Sequence, residues 1–141
     1  TGDAPFIDID EEVRLQQCTL AAIREGLVTA AHDTAEGGLL VALAEMTFRN
    51  GIGITGEIPF AHTAGNVFGE AQSRIIVTVP SENMAMLHEK CSSLNVPLTI
   101  LGITGGDRLT ILNVVDQPID ILRESYEGGL TNLLTASYQN V

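Results

Sequence analysis

The sequence has no tryptophan, and aromatic residues make up only 4% of the chain. Because proteins that bind single-stranded nucleic acids stack the bases on aromatic side chains, this scarcity argues against such a surface. Basic residues are also few: 7 Lys and Arg stand against 18 Asp and Glu, which gives a formal net charge of −11. A field of that sign repels nucleic acids and anionic membranes, so we expect neither as a partner.

Cysteines and long apolar runs are scarce too. The two cysteines, Cys18 and Cys91, belong to no Cys-x-x-Cys or Cys/His pattern of a metal site, so we predict two free thiols. No apolar run has the length that spans a bilayer, and no basic segment precedes an apolar one as in a secretory signal. These observations favour a cytoplasmic protein.

What remains is a globular composition, with 141 residues of which 45% are hydrophobic and 18% charged. Apolar periodicity predicts the order α-β-α-β-β-α-β-β-α, and hence an α+β fold with a mixed β-sheet covered by helices. Helices are predicted over residues 10–25, 37–49, 81–95 and 119–134, and strands over 27–31, 52–58, 75–79, 96–104 and 108–115.

Several local features refine this prediction. Asp10 and Ser81 are typical N-cap residues, and Gly26 suits the C-terminal cap of the first helix. The order Gly-Gly-Asp at 105–107 predicts a hairpin turn between the last two strands. The fourth predicted helix is expected to be interrupted near Gly128 and Gly129. His88 is expected on the inward stripe of the third helix.

The most informative stretch covers residues 30–46. A short strand leads to His32 and Asp33, and Gly37 and Gly38 then open a strongly apolar helix. A helix N-terminus after a glycine turn attracts phosphate, and Mg²⁺ would reconcile a phosphate with the negative Asp33. The same residues allow a plainer interpretation, in which the glycines only permit close packing and His32 and Asp33 only cap the helix.

Two further charged residues also have alternative interpretations. Arg74 precedes the β-branched strand at 75–79, where it suits either an anionic ligand or an ion pair with Glu70. Glu45 is the lone acid within the apolar helix, and it suits a ligand, a solvated edge or a pair with Arg49 one turn later.

Three segments together resemble a known family. They are residues 32–39 (HDTAEGGL), residues 68–74 (FGEAQSR) and residues 105–109 (GGDRL). In this order and spacing they are similar to the C-terminal domain of phosphoribosylformylglycinamidine synthase, and the resemblance covers nearly the whole chain. Other members of the wider superfamily, such as aminoimidazole ribonucleotide synthase, differ around the paired glycines.

The resemblance implies that residues 1–141 form a single C-terminal domain of a larger synthetase. That enzyme is a ligase of purine biosynthesis, which uses ATP and glutamine to convert formylglycinamide ribonucleotide to formylglycinamidine ribonucleotide. A glutaminase domain or subunit supplies the ammonia. The family's catalytic histidine lies in the N-terminal half of the synthetase, so the resemblance implies no catalytic residue here and an inactive isolated domain.

The resemblance also implies roles for individual residues at a second, structural site for ATP or ADP. Asp33 corresponds to the family's Mg²⁺ ligand, and Ala35 corresponds to a residue that contacts the nucleotide; Gly37 and Gly38, at the start of the helix, are where the residue pattern places the phosphate. Ala35 replaces a serine, which leaves only a backbone contact. We also expect ligand contacts from three residues of the second segment, in which Ala71 replaces another serine: Glu70, Gln72 and Arg74.

Two other interpretations of the chain remain open. One is a stand-alone nucleotide-binding or regulatory module of the same superfamily. The other is a purely structural domain, whose motifs serve only to pack against the rest of the enzyme.

Overall fold

The computed structural model describes residues 7–138, with side chains described as far as residue 129. It contains five α-helices and six β-strands: α1 (Ile9–Arg24), β1 (Ala30–Asp33), α2 (Gly38–Phe48), β2 (Ile54–Gly56), α3 (Ala64–Val67), β3 (Ile75–Thr78), α4 (Met84–Ser93), β4 (Gly102–Thr104), β5 (Arg108–Ile111), β6 (Val115–Pro118) and α5 (Ile119–Tyr138). The chain divides into two compact units. Of the described residues, the first takes 7–42 and 63–100, and the second takes 43–62 and 101–138.

The first helix shows why this sequence starts a helix where it does. Asp8 is extended, and its carboxylate accepts hydrogen bonds from the backbone N–H groups of Asp10 and Glu11, each at 3.0 Å. The prediction that Asp10 is the N-cap is therefore wrong by two residues, because Asp10 belongs to the acidic first turn. Gly26, at φ +68°, ends the helix as predicted.

Helix α4 begins differently from the prediction. Ser81 does not cap it, because residues Ser81–Asn83 form a 3₁₀ turn without a side-chain cap. Asn83, which occupies the N-cap position of α4, makes no side-chain cap either. Its side chain donates to the carbonyl oxygens of Gly26 and Leu27, at 3.3 and 3.2 Å. His88 is exposed rather than inward-facing.

The core of the first unit lies where α1 packs on α4. Its buried members are Cys18, Ala22, Leu27, Leu87 and Cys91. The Sγ atoms of Cys18 and Cys91 lie 3.6 Å apart, and both cysteines are free thiols, as predicted. Burial, together with the neighbouring Cys18, raises the pKa of the Cys91 thiol to about 11.

Cys91 is therefore expected to resist alkylation in the folded chain. With a pKa of about 11, roughly one Cys91 thiol in a thousand is ionised at pH 8, and the thiolate is the reactive form. Iodoacetamide labelling at pH 8, followed by mass spectrometry of the peptides, should show little Cys91 modification until guanidinium unfolds the chain. Equal labelling rates in the folded and unfolded chain would contradict the buried placement.

Strands β1 and β3 form a two-stranded antiparallel ribbon in the first unit, with Ala30 opposite Thr78 and Asp33 opposite Ile75. We expected a buried strand over residues 27–31, but β1 starts three residues later and most of it is exposed.

The second unit contains a four-stranded mixed sheet in the order β4-β2-β5-β6. The β2–β5 pair is parallel and the other pairs are antiparallel, which confirms the predicted α+β class and mixed sheet. The buried face carries Ile54, Leu109 and Ile111. The opposite face carries an exposed ion pair, in which Arg108 Nε donates to Asp116 Oδ1 at 2.8 Å.

The predicted hairpin between β4 and β5 is wrong, because β2 lies between these two strands. Gly53 makes this insertion possible. It exchanges backbone hydrogen bonds with Gly105 and Gly106, both at 2.8 Å, and a Cβ there would lie 2.3 Å from the carbonyl oxygen of Arg108. The Gly-Gly-Asp segment thus opens a wide turn around the start of β2.

Two more boundaries differ from the prediction. The strand expected over residues 108–115 is split into the hairpin of β5 and β6, because Asn113 takes a positive φ of 59° in the turn. Of the strand expected over residues 96–104, only β4 is paired.

Helix α5 runs through Gly128 and Gly129 without the expected interruption, since a helical glycine costs only about 1 kcal/mol relative to alanine. Its Tyr126 hydroxyl donates to Glu45 Oε1 at 2.5 Å, and the Tyr126 ring lies 5.6 Å from that of Phe48. Among the described residues, no helix combines the length and apolar character that a membrane span requires.

Candidate functional site

The pairing of β1 with β3 brings two of the sequence motifs together within the first unit. Asp33 ends β1 directly opposite Ile75, which begins β3. The loop that follows β1 and the segment that precedes β3 therefore meet at one end of the ribbon. The backbone N–H of Gly37 donates to Glu70 Oε1 at 3.0 Å across this junction.

The two glycines at the start of α2 are needed for different steric reasons. Both have a φ of +75°, a conformation that residues with a Cβ rarely adopt. A Cβ on Gly38 would lie 2.5 Å from the carbonyl carbon of Phe68, whereas a Cβ on Gly37 would meet the side chain of Val41 at 2.7 Å. The plainer interpretation, that the glycines permit close packing, is therefore correct at Gly38. It does not exclude a ligand at the same helix end.

The predicted ligand residues of the second motif have separate surroundings. Glu70 is exposed and places its carboxylate at the positive N-terminal end of α2, where such a charge is stabilised. Arg74 is half-buried and its Nη1 donates to the carbonyl oxygen of Asn66 at 3.3 Å. Gln72 is exposed. The structure thus gives Glu70 and Arg74 different partners rather than an ion pair with each other.

Asp33, the predicted metal ligand, projects into solvent with 70% of its side chain exposed. Nδ1 of His32 lies 2.6 Å from the Asp33 carbonyl oxygen and 3.9 Å from its Oδ1. In the described part of the chain, no group of three or more His, Cys, Asp or Glu residues has the geometry to hold a metal. Asp33 alone suits Mg²⁺, which takes one or two carboxylates and completes its shell with water and phosphate oxygens.

Thr34 is a residue that the sequence analysis missed. Only 2% of it is exposed, and its Oγ1 has no hydrogen-bond partner among the described residues. A buried hydroxyl left without a partner costs about 1–3 kcal/mol, and such groups in native proteins are often completed by a ligand or water. In the sequence, only its position pointed to Thr34, since it directly follows the His-Asp pair in the loop after a strand.

The sequence and the fold of this chain were compared with those of known proteins. Residues 3–114 match a family model described as AIR synthase related protein, C-terminal domain. The phosphoribosylformylglycinamidine synthase subunit PurL of Brucella ovis is 38% identical over 133 residues, which are 94% of this chain and 18% of the relative. The chain thus spans less than a fifth of the length of the curated relatives that it matches.

Solved structures show the same fold. PurLQS from Thermotoga maritima superposes with a TM-score of 0.71 at 21% identity, over 83% of this chain and 22% of that chain. T. maritima PurL complexed with ADP gives a TM-score of 0.69 at 22% identity, over 85% of this chain and 23% of that one.

Proposed function

The chain belongs to the family of AIR synthase related protein C-terminal domains, and from this premise we propose that it is the C-terminal domain of a phosphoribosylformylglycinamidine synthase subunit. The relatives of that name align over 94% of the chain, and its three motifs stand in the order that the resemblance requires. The whole enzyme would convert formylglycinamide ribonucleotide to formylglycinamidine ribonucleotide with ATP. Glutamine would be the nitrogen source through a glutaminase partner. In this proposal the domain has no catalytic residue and is inactive alone.

Within this domain we propose a site for a Mg²⁺-bound adenine nucleotide at the end of the ribbon. The observation that carries it is the junction where Asp33 ends β1 and residues 34–37 lead directly to the start of α2. Asp33 would bind Mg²⁺, which offsets the repulsion between nucleotide phosphates and a chain of net charge −11. A described complex of the T. maritima relative with ADP agrees with this ligand class.

The chain's own residues define what such a site would do. The backbone of residues 35–38 would lie beside the phosphates, whereas the space next to the Gly37 and Gly38 Cα atoms is taken by Val41 and Phe68 of the chain itself. Glu70 already accepts the Gly37 N–H, so phosphates would reach the site through Mg²⁺ at Asp33 rather than through that amide.

The Glu70 contact also favours a second candidate, a purely structural domain. A carboxylate at the start of α2 supplies, from within the chain, the negative charge that the helix end attracts. In that case the junction would stabilise the first unit and would bind no nucleotide.

The proposal includes a cytoplasmic location. It is supported by Cys18 and Cys91, which remain free thiols although their sulfur atoms are in contact. Free cysteine pairs of this kind are typical of reducing compartments.

A chimeric enzyme tests the proposed enzymatic role. The 133 aligned residues would replace the matching part of the B. ovis relative, with the unmodified relative as control. We expect the chimera to form formylglycinamidine ribonucleotide from ATP and ammonia, and the isolated chain to show no turnover. A folded but inactive chimera, or turnover by the isolated chain at the chimera's rate, would contradict the proposal.

A further inference from the structure

Ser73 stands out in the second motif because of its backbone. Its φ is +60°, a left-handed conformation that is uncommon for residues with a Cβ and that persists only when the surroundings hold it. Ser73 is the residue between Gln72 and Arg74, so its conformation sets the course of the segment that carries the predicted ligand residues. Something outside this segment must therefore stabilise it.

Glu12 on α1 supplies that stabilisation. The Ser73 hydroxyl donates to Glu12 Oε2 at 2.6 Å, although 61 residues separate the two in sequence. The other carboxylate oxygen accepts from Gln16 Nε2 at 2.7 Å, which fixes the orientation of the Glu12 side chain. The hydrogen bond from Ser73, followed by that from Gln16, holds the pKa of Glu12 below its ordinary value, as expected for a carboxylate that is bound in its charged form.

Packing alone does not hold the turn in place. Ser73 lines a small open cavity of about 110 Å³, together with Asn95, Val96 and Pro97 of the segment after α4. Glu11 and Leu15 of α1 line the same cavity, so this side of the turn is incompletely packed and the hydrogen bond to Glu12 adds a restraint there. Three residues before Ser73, Glu70 makes its contact with the Gly37 N–H.

We propose that Glu12 is a positioning residue for the candidate site, which acts through Ser73 to hold the segment of Glu70 and Arg74 against the start of α2. The chain of contacts runs from the first turn of α1 to Ser73, along three residues of backbone to Glu70, and across to Gly37. Glu12 touches no ligand in this account. The inference deepens the proposed nucleotide site and rests on it for its functional consequence, whereas its structural consequence is independent.

The test is amide hydrogen exchange of Gly37, measured by NMR on the 141-residue chain and its variants. Glu12→Ala should speed exchange of the Gly37 N–H by about tenfold or more, because the loss of a hydrogen bond to a charged group typically changes an equilibrium constant by about that factor. Ser73→Ala should speed it less, because the backbone N–H of residue 73 still donates to Glu12. Glu11→Ala is the matched control, since it removes a charge from the same helical turn but not the bond to Ser73. The Cys91 amide within α4 should be unchanged in every variant.

Titration of the same variants with Mg²⁺ and ADP separates the structural role of Glu12 from the existence of the nucleotide site. Weaker binding by Glu12→Ala and Ser73→Ala, but not by Glu11→Ala, is the expected result. If the unmodified chain binds no Mg²⁺-ADP, the nucleotide site fails while the exchange rates still decide the role of Glu12. Unchanged Gly37 exchange in folded Glu12→Ala, or an equal change in Glu11→Ala, would overturn the proposal.

Discussion

Replacement of Gly38 with alanine is expected to lower the free energy of unfolding by about 3 kcal/mol or more. The new Cβ would lie 2.5 Å from the carbonyl carbon and 2.7 Å from the Cα of Phe68. These are backbone atoms, so no side-chain rotation relieves the clash. The positive φ of Gly38 adds a conformational penalty of about 1–2 kcal/mol.

Two other glycines provide matched controls for this measurement. Gly26→Ala carries a similar positive φ of +68° but no atom within 4 Å of the new Cβ, so it should cost only about 1–2 kcal/mol. Gly65→Ala lies in α3 with no close neighbour and should be neutral or slightly stabilising. Urea unfolding followed by circular dichroism gives all three values. A Gly38→Ala loss no larger than that of Gly26→Ala would contradict the close approach to Phe68.

Replacement of Asp33 with alanine is expected to weaken Mg²⁺-dependent ADP binding by at least about tenfold to a hundredfold, since even outer-shell partners of metal sites have effects of that size. The physical reason is that Asp33 is the carboxylate proposed to hold the Mg²⁺ that bridges to the phosphates. Its side chain is 70% exposed, so the same substitution should leave the stability of the chain nearly unchanged.

Glu36→Ala is the control for Asp33→Ala. Glu36 is an exposed acid in the same loop, so its removal changes the net charge by the same amount. We expect ADP affinity to be retained or slightly raised in this variant, because it lowers the repulsion of phosphate without removing the metal ligand. Equal losses in both variants would show that Asp33 contributes no more than its charge.

Local sequence patterns predicted much of the fold. The acids of the first turn and Gly26 delimit α1 within two residues, and the β-branched run at 75–79 is β3. The paired glycines mark the start of α2, as predicted. In each case the information lies in residues that are neighbours in the chain, where propensity and capping act.

The errors arise where the structure depends on distant residues. Insertion of β2 between β4 and β5 is a nonlocal pairing, and its local traces are the glycines at positions 53, 56 and 102, which lie against the backbone of neighbouring strands. The bond between Gly37 and Glu70 spans 33 residues, and that between Glu12 and Ser73 spans 61. No pattern within a single segment identifies such partners. Thr34 was missed for a related reason, because only the folded chain shows that its hydroxyl is buried without a partner.

Isothermal titration of the 141-residue chain with ADP, in Mg²⁺ and again in excess EDTA, is the deciding measurement for the proposed nucleotide site. We expect saturable binding in Mg²⁺, loss of that binding in EDTA, and loss of it in Asp33→Ala but not in Glu36→Ala. If the folded chain shows no binding in Mg²⁺, or binds equally well in EDTA, the Mg²⁺-nucleotide site at the end of the β1–β3 ribbon is contradicted. Absence of binding would favour the structural domain, in which Glu70 serves only to cap α2.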